Sequence, residues 1–138
     1  MGCDEVILLD THVAFWMATD DVKLGPQSRE LIEQELHSGG VGVSSISFWE
    51  LALLAAKKRL ILHRPVEELR RSFIATGIVE LALSGDIAMA AVALDKLHSD
   101  PADRFIVATA MAHDATLLTA DDALLRWRSK WPRKNASK

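Results

Sequence analysis

Four apolar residues in a row, Val6-Ile7-Leu8-Leu9, stop abruptly at Asp10. An unbroken run of this kind suits a short strand buried on both faces of a parallel sheet, because a half-exposed strand would alternate. The pattern then turns helical over residues 11–18. Gly25-Pro26 opens a second helix that runs to about Leu36, with Leu31, Ile32 and Leu36 at core spacing, and Gly39-Gly40 closes it. Residues 41–43 predict a second strand. Ser47-Phe48-Trp49-Glu50 follows with the Ser-x-x-Glu spacing of a capping box, ahead of a helix through Ala56 whose end is marked by Lys57-Lys58-Arg59.

Residues 65–75 predict a further helix, 78–83 a third strand and 86–97 another helix. Asp100-Pro101-Ala102-Asp103 starts the most apolar helix of the chain, residues 116–119 supply a fourth strand, and Asp121-Asp122 opens a last short helix ending near Trp127. No clear strand follows Trp127. Short strands alternating with helices, without repeat or linker, predict an α/β chain folded as one three-layer domain, residues 1–138, with a mainly parallel sheet.

Composition narrows the function classes. A chain of 138 residues with 49% hydrophobic content can bury a core unaided. Cys3 stands alone, so no internal disulfide forms, and neither a signal peptide nor a membrane span is apparent. The expectation is a soluble, cytoplasmic protein with no membrane partner. The net charge of -3 conceals an asymmetry: residues 1–56 carry nine acids and two bases, whereas residues 126–138 carry six bases and no acid. The basic end, about 128–138, reads either as a solvated tail or as a contact for a polyanion.

The acids carry the sharper signal. Asp10, Glu50, Asp103 and Asp121 each sit where an apolar run gives way to a helix, and in parallel α/β sheets the functional crevice lies outside the carboxyl ends of the strands. Carboxylates gathered there would suit a hard cation such as Mg²⁺ or Mn²⁺. Each acid also has a purely structural reading. Asp10 and Asp121 can cap helices, Glu50 can complete the capping box with Ser47, and Asp103 can offset a helix dipole with Asp100 as the cap. Glu50 fits its structural reading least well, being the single acid of an otherwise apolar segment over residues 41–56.

Other constellations are weaker. His12, His37, His63, His98 and His113 lack metal-ligand spacing, no nucleophile elbow is present, and Gly39-Gly40 is too short to cradle a phosphate. Trp16, Phe48 and Trp49 read as core or interface residues rather than base-stacking platforms. His98 and Arg104, flanking Asp103, are candidate phosphate contacts.

Four segments together, Leu8-Leu9-Asp10-Thr11-His12, residues 44–51 with Trp49-Glu50-Leu51, residues 98–104, and Leu118-Thr119-Ala120-Asp121, give the chain an ordered set of motifs that resembles the PIN-domain ribonucleases, specifically toxins of the VapC type. The resemblance spans roughly residues 5–127 and implies a PIN-like fold with a central sheet of four or five short strands flanked by helices. It maps the family's acidic site onto Asp10, Glu50, Asp103 and Asp121, as catalytic residues and metal ligands, with Thr119, Asp100 and Asp122 in support. It further implies a Mg²⁺- or Mn²⁺-dependent endoribonuclease acting on structured cellular RNA, a small cognate antitoxin as partner, and a homodimer. The Asp121-Asp122 doublet leaves open which acid faces the metal.

Under this reading hydrolysis is metal-assisted, and Lys57, Lys58, Arg59, Arg104 and the tail would supply salt-dependent RNA affinity. Two rivals stand beside it. An aspartate-based phosphohydrolase also places an Asp after its first strand, although His12 stands where such an enzyme carries a second Asp. A catalytically inactive PIN-like module would use Trp16, Trp49 and apolar helix faces to bind another protein.

Overall fold

In the computed structural model, which describes residues 6–97 and 100–138, the first apolar run becomes strand β1 (Ile7–Leu9) at the centre of a five-stranded sheet. Helices α1 (Thr11–Thr19) and α2 (Pro26–Leu36) follow, then β2 (Val41–Ser44), α3 (Ile46–Ala56), α4 (Val66–Thr76), β3 (Val79–Leu81) and α5 (Gly85–Val92). The chain continues through α6 (Pro101–Ala112), β4 (Thr116–Thr119), α7 (Asp122–Leu125) and β5 (Arg133–Asn135). Strand order is β3-β2-β1-β4-β5 and every pairing is parallel, with Leu8 opposite Gly42 on one side and Leu117 on the other.

The period of two along β1 explains the three layers. Ile7 and Leu9 point into one core with Val13, Ile32, Val41, Val43, Leu69 and Phe73, whereas Leu8 points into a second with Ile106, Val107, Leu117 and Leu124. All three strand residues are fully buried. Each such side chain contributes about 1.5–3 kcal/mol relative to an exposed one, so β1 is fixed from both sides and the residue that ends it, Asp10, is placed with little freedom. Gly42 of β2 lets Leu81 of β3 approach, since a Cβ there would lie 3.0 Å from Leu81 Cδ1.

Three expectations from the sequence change. The helix expected over residues 86–97 ends at Val92, and the cause is Arg104. Its guanidinium donates to the carbonyls of Ala91 and Val92 at the end of α5 and of Leu94 and Leu97 beyond it, satisfying these oxygens in place of a further helical turn. Four of the five guanidinium N–H groups are committed in this way, one on Nη1 remaining, so the bonds of Arg104 are chiefly structural. His98 and Cys3 lie outside the described residues.

The third change is at the basic end. The sequence Arg133-Lys134-Asn135 has no apolar residue to announce a strand, yet it pairs in parallel with β4, and the following Ala136 is fully buried. Arg133 donates to the carbonyls of Leu124, Trp127 and Ser129 and lies 5.4 Å from the Trp127 ring. Residues 128–138 are therefore an edge of the sheet and not a solvated tail. The segment is anchored on the start of α2, where Gly25 N–H donates to Ala136 O and the N–H groups of Gln27 and Ser28 donate to Lys138 O.

Gly25 permits that anchorage, because a Cβ built there would stand 2.1 Å from the carbonyl carbon of Lys138. Gly25→Ala is predicted to lift residues 136–138 off α2 and lower Tm by roughly 3–10 °C. Thermal unfolding followed by circular dichroism checks this, and an unchanged Tm would contradict the anchoring role.

Candidate metal centre

Asp10, Glu50, Asp103 and Asp121, separated by as many as 111 positions in the chain, line one cavity of about 200 Å³. His12, Trp16, Asp100 and Ala120 complete its wall. The topology explains the gathering. β1 and β4 are adjacent and parallel, so the residues beyond their carboxyl ends emerge together, and α3 and α6 begin at the same side. The positive ends of α1, α3 and α6 thus converge on the acids, each offsetting about 0.3–1 kcal/mol of the repulsion among them.

Asp10 is the most constrained of the set. It is 5% exposed, its Oδ1 accepts the Thr11 N–H at 2.8 Å, and its Oδ2 accepts the Thr119 hydroxyl at 2.7 Å. Thr119 in turn accepts the N–H of Asp121 at 3.0 Å, which ties the first acid to the last through one buried hydroxyl. Asp121 caps α7, its Oδ1 accepting from Ala123 and Leu124. Of the Asp121-Asp122 doublet only Asp121 lines the cavity; Asp122 is exposed in the first turn of α7.

Glu50 departs from the sequence reading. Helix α3 begins at Ile46 with Ser45 at the N-cap position and no side-chain cap, so no capping box forms. Ser47 is instead fully buried, its Oγ 2.8 Å from Thr11 Oγ1, which pins α3 against α1. Glu50 is left with a buried Oε1 that has no hydrogen-bond partner. Leaving such an oxygen bare costs about 1–3 kcal/mol or more for a charged group, and a cation is the natural partner for it.

Asp100 caps α6, its Oδ1 accepting the N–H of Asp103 at 3.1 Å. Glu50, Asp100 and Asp103 each bring a carboxylate oxygen within 4.8 Å of the other two. That spacing and an all-oxygen donor set fit a hard divalent ion. A larger depression of about 490 Å³ between α2 and β5, lined by Gln27, Gln34 and Lys134 among others, holds the single acid Glu30 and has no comparable donor set.

The electrostatics show what this proximity costs. Asp103, 8% exposed, is pushed from an ordinary value near 3.8 up to about 8, first by burial and then by the charges of Asp10, Asp100, Asp121 and Glu50. Burial likewise raises Asp10, against the lowering effect of its bonds from Thr119 and Thr11. Glu50 is raised by burial and by Asp10 and Asp100, with the Thr11 hydroxyl and His12 opposing. Lys57, Lys58 and Arg59 are exposed at the far end of α3, roughly 10 Å along the helix from Glu50.

The folded protein therefore binds more protons than the unfolded chain between about pH 4 and pH 8, the window set by Asp103. In that window stability falls as pH rises. Without divalent ions, Tm is predicted to decline from pH 4.5 to pH 8, and Asp103→Asn to remove much of the decline, raising Tm at pH 8 by about 5 °C or more. Calorimetry of both proteins in EDTA measures it. Parallel Tm–pH curves would contradict the repulsion.

Comparison with known proteins agrees with this architecture. A profile of the PIN domain matches residues 7–129. Over 127 residues, 91% of this chain and 95% of the relative, the sequence is 35% identical to Ribonuclease VapC22 of Mycobacterium tuberculosis. Among solved structures, VapBC2 of Rickettsia felis bound to a promoter DNA fragment has a chain that superposes with a TM-score of 0.68 at 18% identity, covering 94% of this chain and 98% of that one. A toxin-antitoxin complex of Klebsiella pneumoniae gives 0.59 at 22% identity, covering 94% and 97%. On the length matched by the family profile and its identity to a relative covered over 95% of its length, the chain belongs to the PIN-domain family.

Proposed function

We propose that this chain is a divalent-metal-dependent endoribonuclease, the toxin of a toxin–antitoxin pair, that hydrolyses phosphodiester bonds in structured cellular RNA. The observation that carries the reading is the buried, unpaired Oε1 of Glu50 beside Asp100 and Asp103, in a chain 35% identical to a protein named a ribonuclease. Glu35 Oε2 is buried and unpaired too, but among the described residues Glu50 is the one of the pair that joins other carboxylates in a metal-sized group.

Asp10, Glu50, Asp103 and Asp121 are the residues that would hold Mg²⁺ or Mn²⁺. The bound ion would lower the pKa of water and neutralise charge developing on the phosphodiester. The chain's own groups set the geometry. Thr119 and the Thr11 N–H fix both oxygens of Asp10 in place at the cavity wall, and each oxygen keeps a second lone pair. Asp121 is held through its Oδ1 by the α7 backbone, leaving Oδ2 for the site. Asp100 orients Asp103 by capping its helix and contributes one oxygen of its own. Burial of Asp10 and Asp103 keeps bulk water from screening them. Lys57, Lys58 and Arg59 would meet the phosphate backbone of a longer RNA beyond the cleavage point.

Partners follow from the same reading. A small cognate antitoxin is proposed because the structural neighbours include toxin-antitoxin complexes, and a homodimer because α5 and α3 present Val92, Met89 and Trp49 at 81, 68 and 55% exposure. Its place of action is proposed to be the cytoplasm, where RNA is accessible; no helix among the described residues is long and apolar enough to cross a membrane.

Total cellular RNA incubated with the antitoxin-free protein is predicted to be cut at discrete positions in Mn²⁺ or Mg²⁺ and left intact in EDTA. Asp103→Asn and Asp10→Asn should each slow cleavage by on the order of 100-fold or more. Cleavage that survives both substitutions would overturn the assignment of these acids. An inert wild type would favour the non-enzymatic interaction module, and a phosphate trapped covalently on Asp10 would favour the phosphohydrolase.

A further inference from the structure

The cavity that gathers the acids poses a problem for any RNA entering it. Five carboxylates line it, from Asp10, Glu50, Asp100, Asp103 and Asp121, against one exposed histidine, His12. The nearest candidate cations do not help at that spot. Arg104 spends its guanidinium on four backbone carbonyls, and the basic cluster of residues 57–59 lies roughly a further 10 Å along α3. A bound ion would act on the phosphate, but the chain's own side chains offer the base no ionic hold at that spot, so the base must be positioned by another kind of contact.

Trp16 is the one aromatic residue of the cavity wall. It stands four residues after His12 on α1, so the two share a face of the helix. Its ring is half-buried, packed on one side against the core that contains Val13 and Leu51, with the remainder lining the cavity. The indole N–H also sets this ring apart from the tryptophans that the fold holds by a hydrogen bond. Trp127 and Trp131 tie theirs into the fold, donating to Asp95 O at 2.8 Å and to Ala115 O at 2.9 Å. Among the described residues Trp16 makes no such bond, and its N–H is not one of the buried unpaired atoms, so this indole is not tied into the fold and reaches solvent. Trp49 lacks one too, but it lies outside the cavity lining and is mostly exposed.

We infer that Trp16 is a substrate-positioning residue, a stacking platform for the nucleobase next to the scissile phosphate. The inference rests on the proposed reading of the cavity as an RNA-cleaving centre and adds the residue that holds the base there. Stacking on an indole is indifferent to sequence and needs no positive charge, which suits an acidic cavity. It does need a base with an open face. A base inside a duplex is covered on both sides, so the preferred substrate at the cut is an unpaired or splayed nucleotide in a loop, bulge or single strand. The sequence hid this role, because Trp16 falls at a core-facing position of α1 and reads as packing.

The test uses indole emission with a mixed-sequence single-stranded octaribonucleotide as probe, in an Asp103→Asn background with Mn²⁺ and RNA integrity checked on gels. Saturable quenching is expected, retained in Trp49→Phe and lost in Trp16→Phe. Trp16→Ala should weaken probe binding roughly 5- to 100-fold, the range of one lost stacking contact, with Trp16→Phe within about threefold of the parent. The same octamer annealed to its complement as a blunt-ended duplex should bind without the Trp16 quench. Quenching that persists in Trp16→Phe, or Trp16→Ala binding within a factor of about two of the parent, overturns the proposal. Cleavage is scored separately with active protein. A Trp16 quench without metal-dependent cleavage sinks the nuclease reading alone, whereas normal cleavage with an unchanged KM in Trp16→Ala sinks the stacking platform alone.

Discussion

Everything else in this protein is arranged around the burial of like charges at the carboxyl edge of a parallel sheet. Removing Asp10 and Asp103 from water, within reach of Glu50, Asp100 and Asp121, opposes folding, as the rise of Asp103 to about 8 records. The surrounding structure sustains it with fixed dipoles rather than with cations. A threonine hydroxyl bridges Asp10 to Asp121, backbone N–H groups meet Asp10, Asp100 and Asp121, and helix N-termini point at the cluster. What remains uncompensated, above all the bare oxygen of Glu50, is the capacity the site keeps for a ligand.

The rigidity that holds this arrangement comes from residues remote from it. β1 is buried on both faces and paired on both edges, so the direction in which Asp10 leaves the sheet is set by Ile7, Leu8 and Leu9. The bond between Ser47 and Thr11 fixes α3 to α1 and with it the position of Glu50. Arg104, one residue after Asp103, gathers the loop after α5 around the start of α6. A site that must keep like charges together cannot rest on flexible loops, since repulsion would spread them.

Much of this was legible in the sequence, for physical reasons that differ by element. The run of residues 6–9 and the apolar helix after Asp103 could be read because burial on all sides demands unbroken apolar residues. The Asp100 cap could be read because its chemistry is local, three residues to the N–H it accepts. Non-local bonds were not legible. Ser47 looked like a capping-box residue until its hydroxyl proved to reach Thr11, 36 positions away, and Arg104 looked like a phosphate contact although its partners are carbonyls up to 13 positions back. Strand β5 left no apolar trace because it is an edge strand whose pairing is made by backbone groups. Trp16 was recognisable as apolar, but the cavity on its other side belongs to four separate elements and exists only once they meet.

The central claim is that the acid cluster is built for a divalent ion that completes its charge balance. Titration calorimetry with Mn²⁺ at pH 7, repeated in two buffers of different ionisation enthalpy, tests it most directly. Because Asp103 titrates near 8, much of it is protonated there, and binding should release on the order of one proton, with both binding and release weakened in Glu50→Gln. No measurable binding of Mn²⁺, or binding with the same heat in both buffers, would contradict the account.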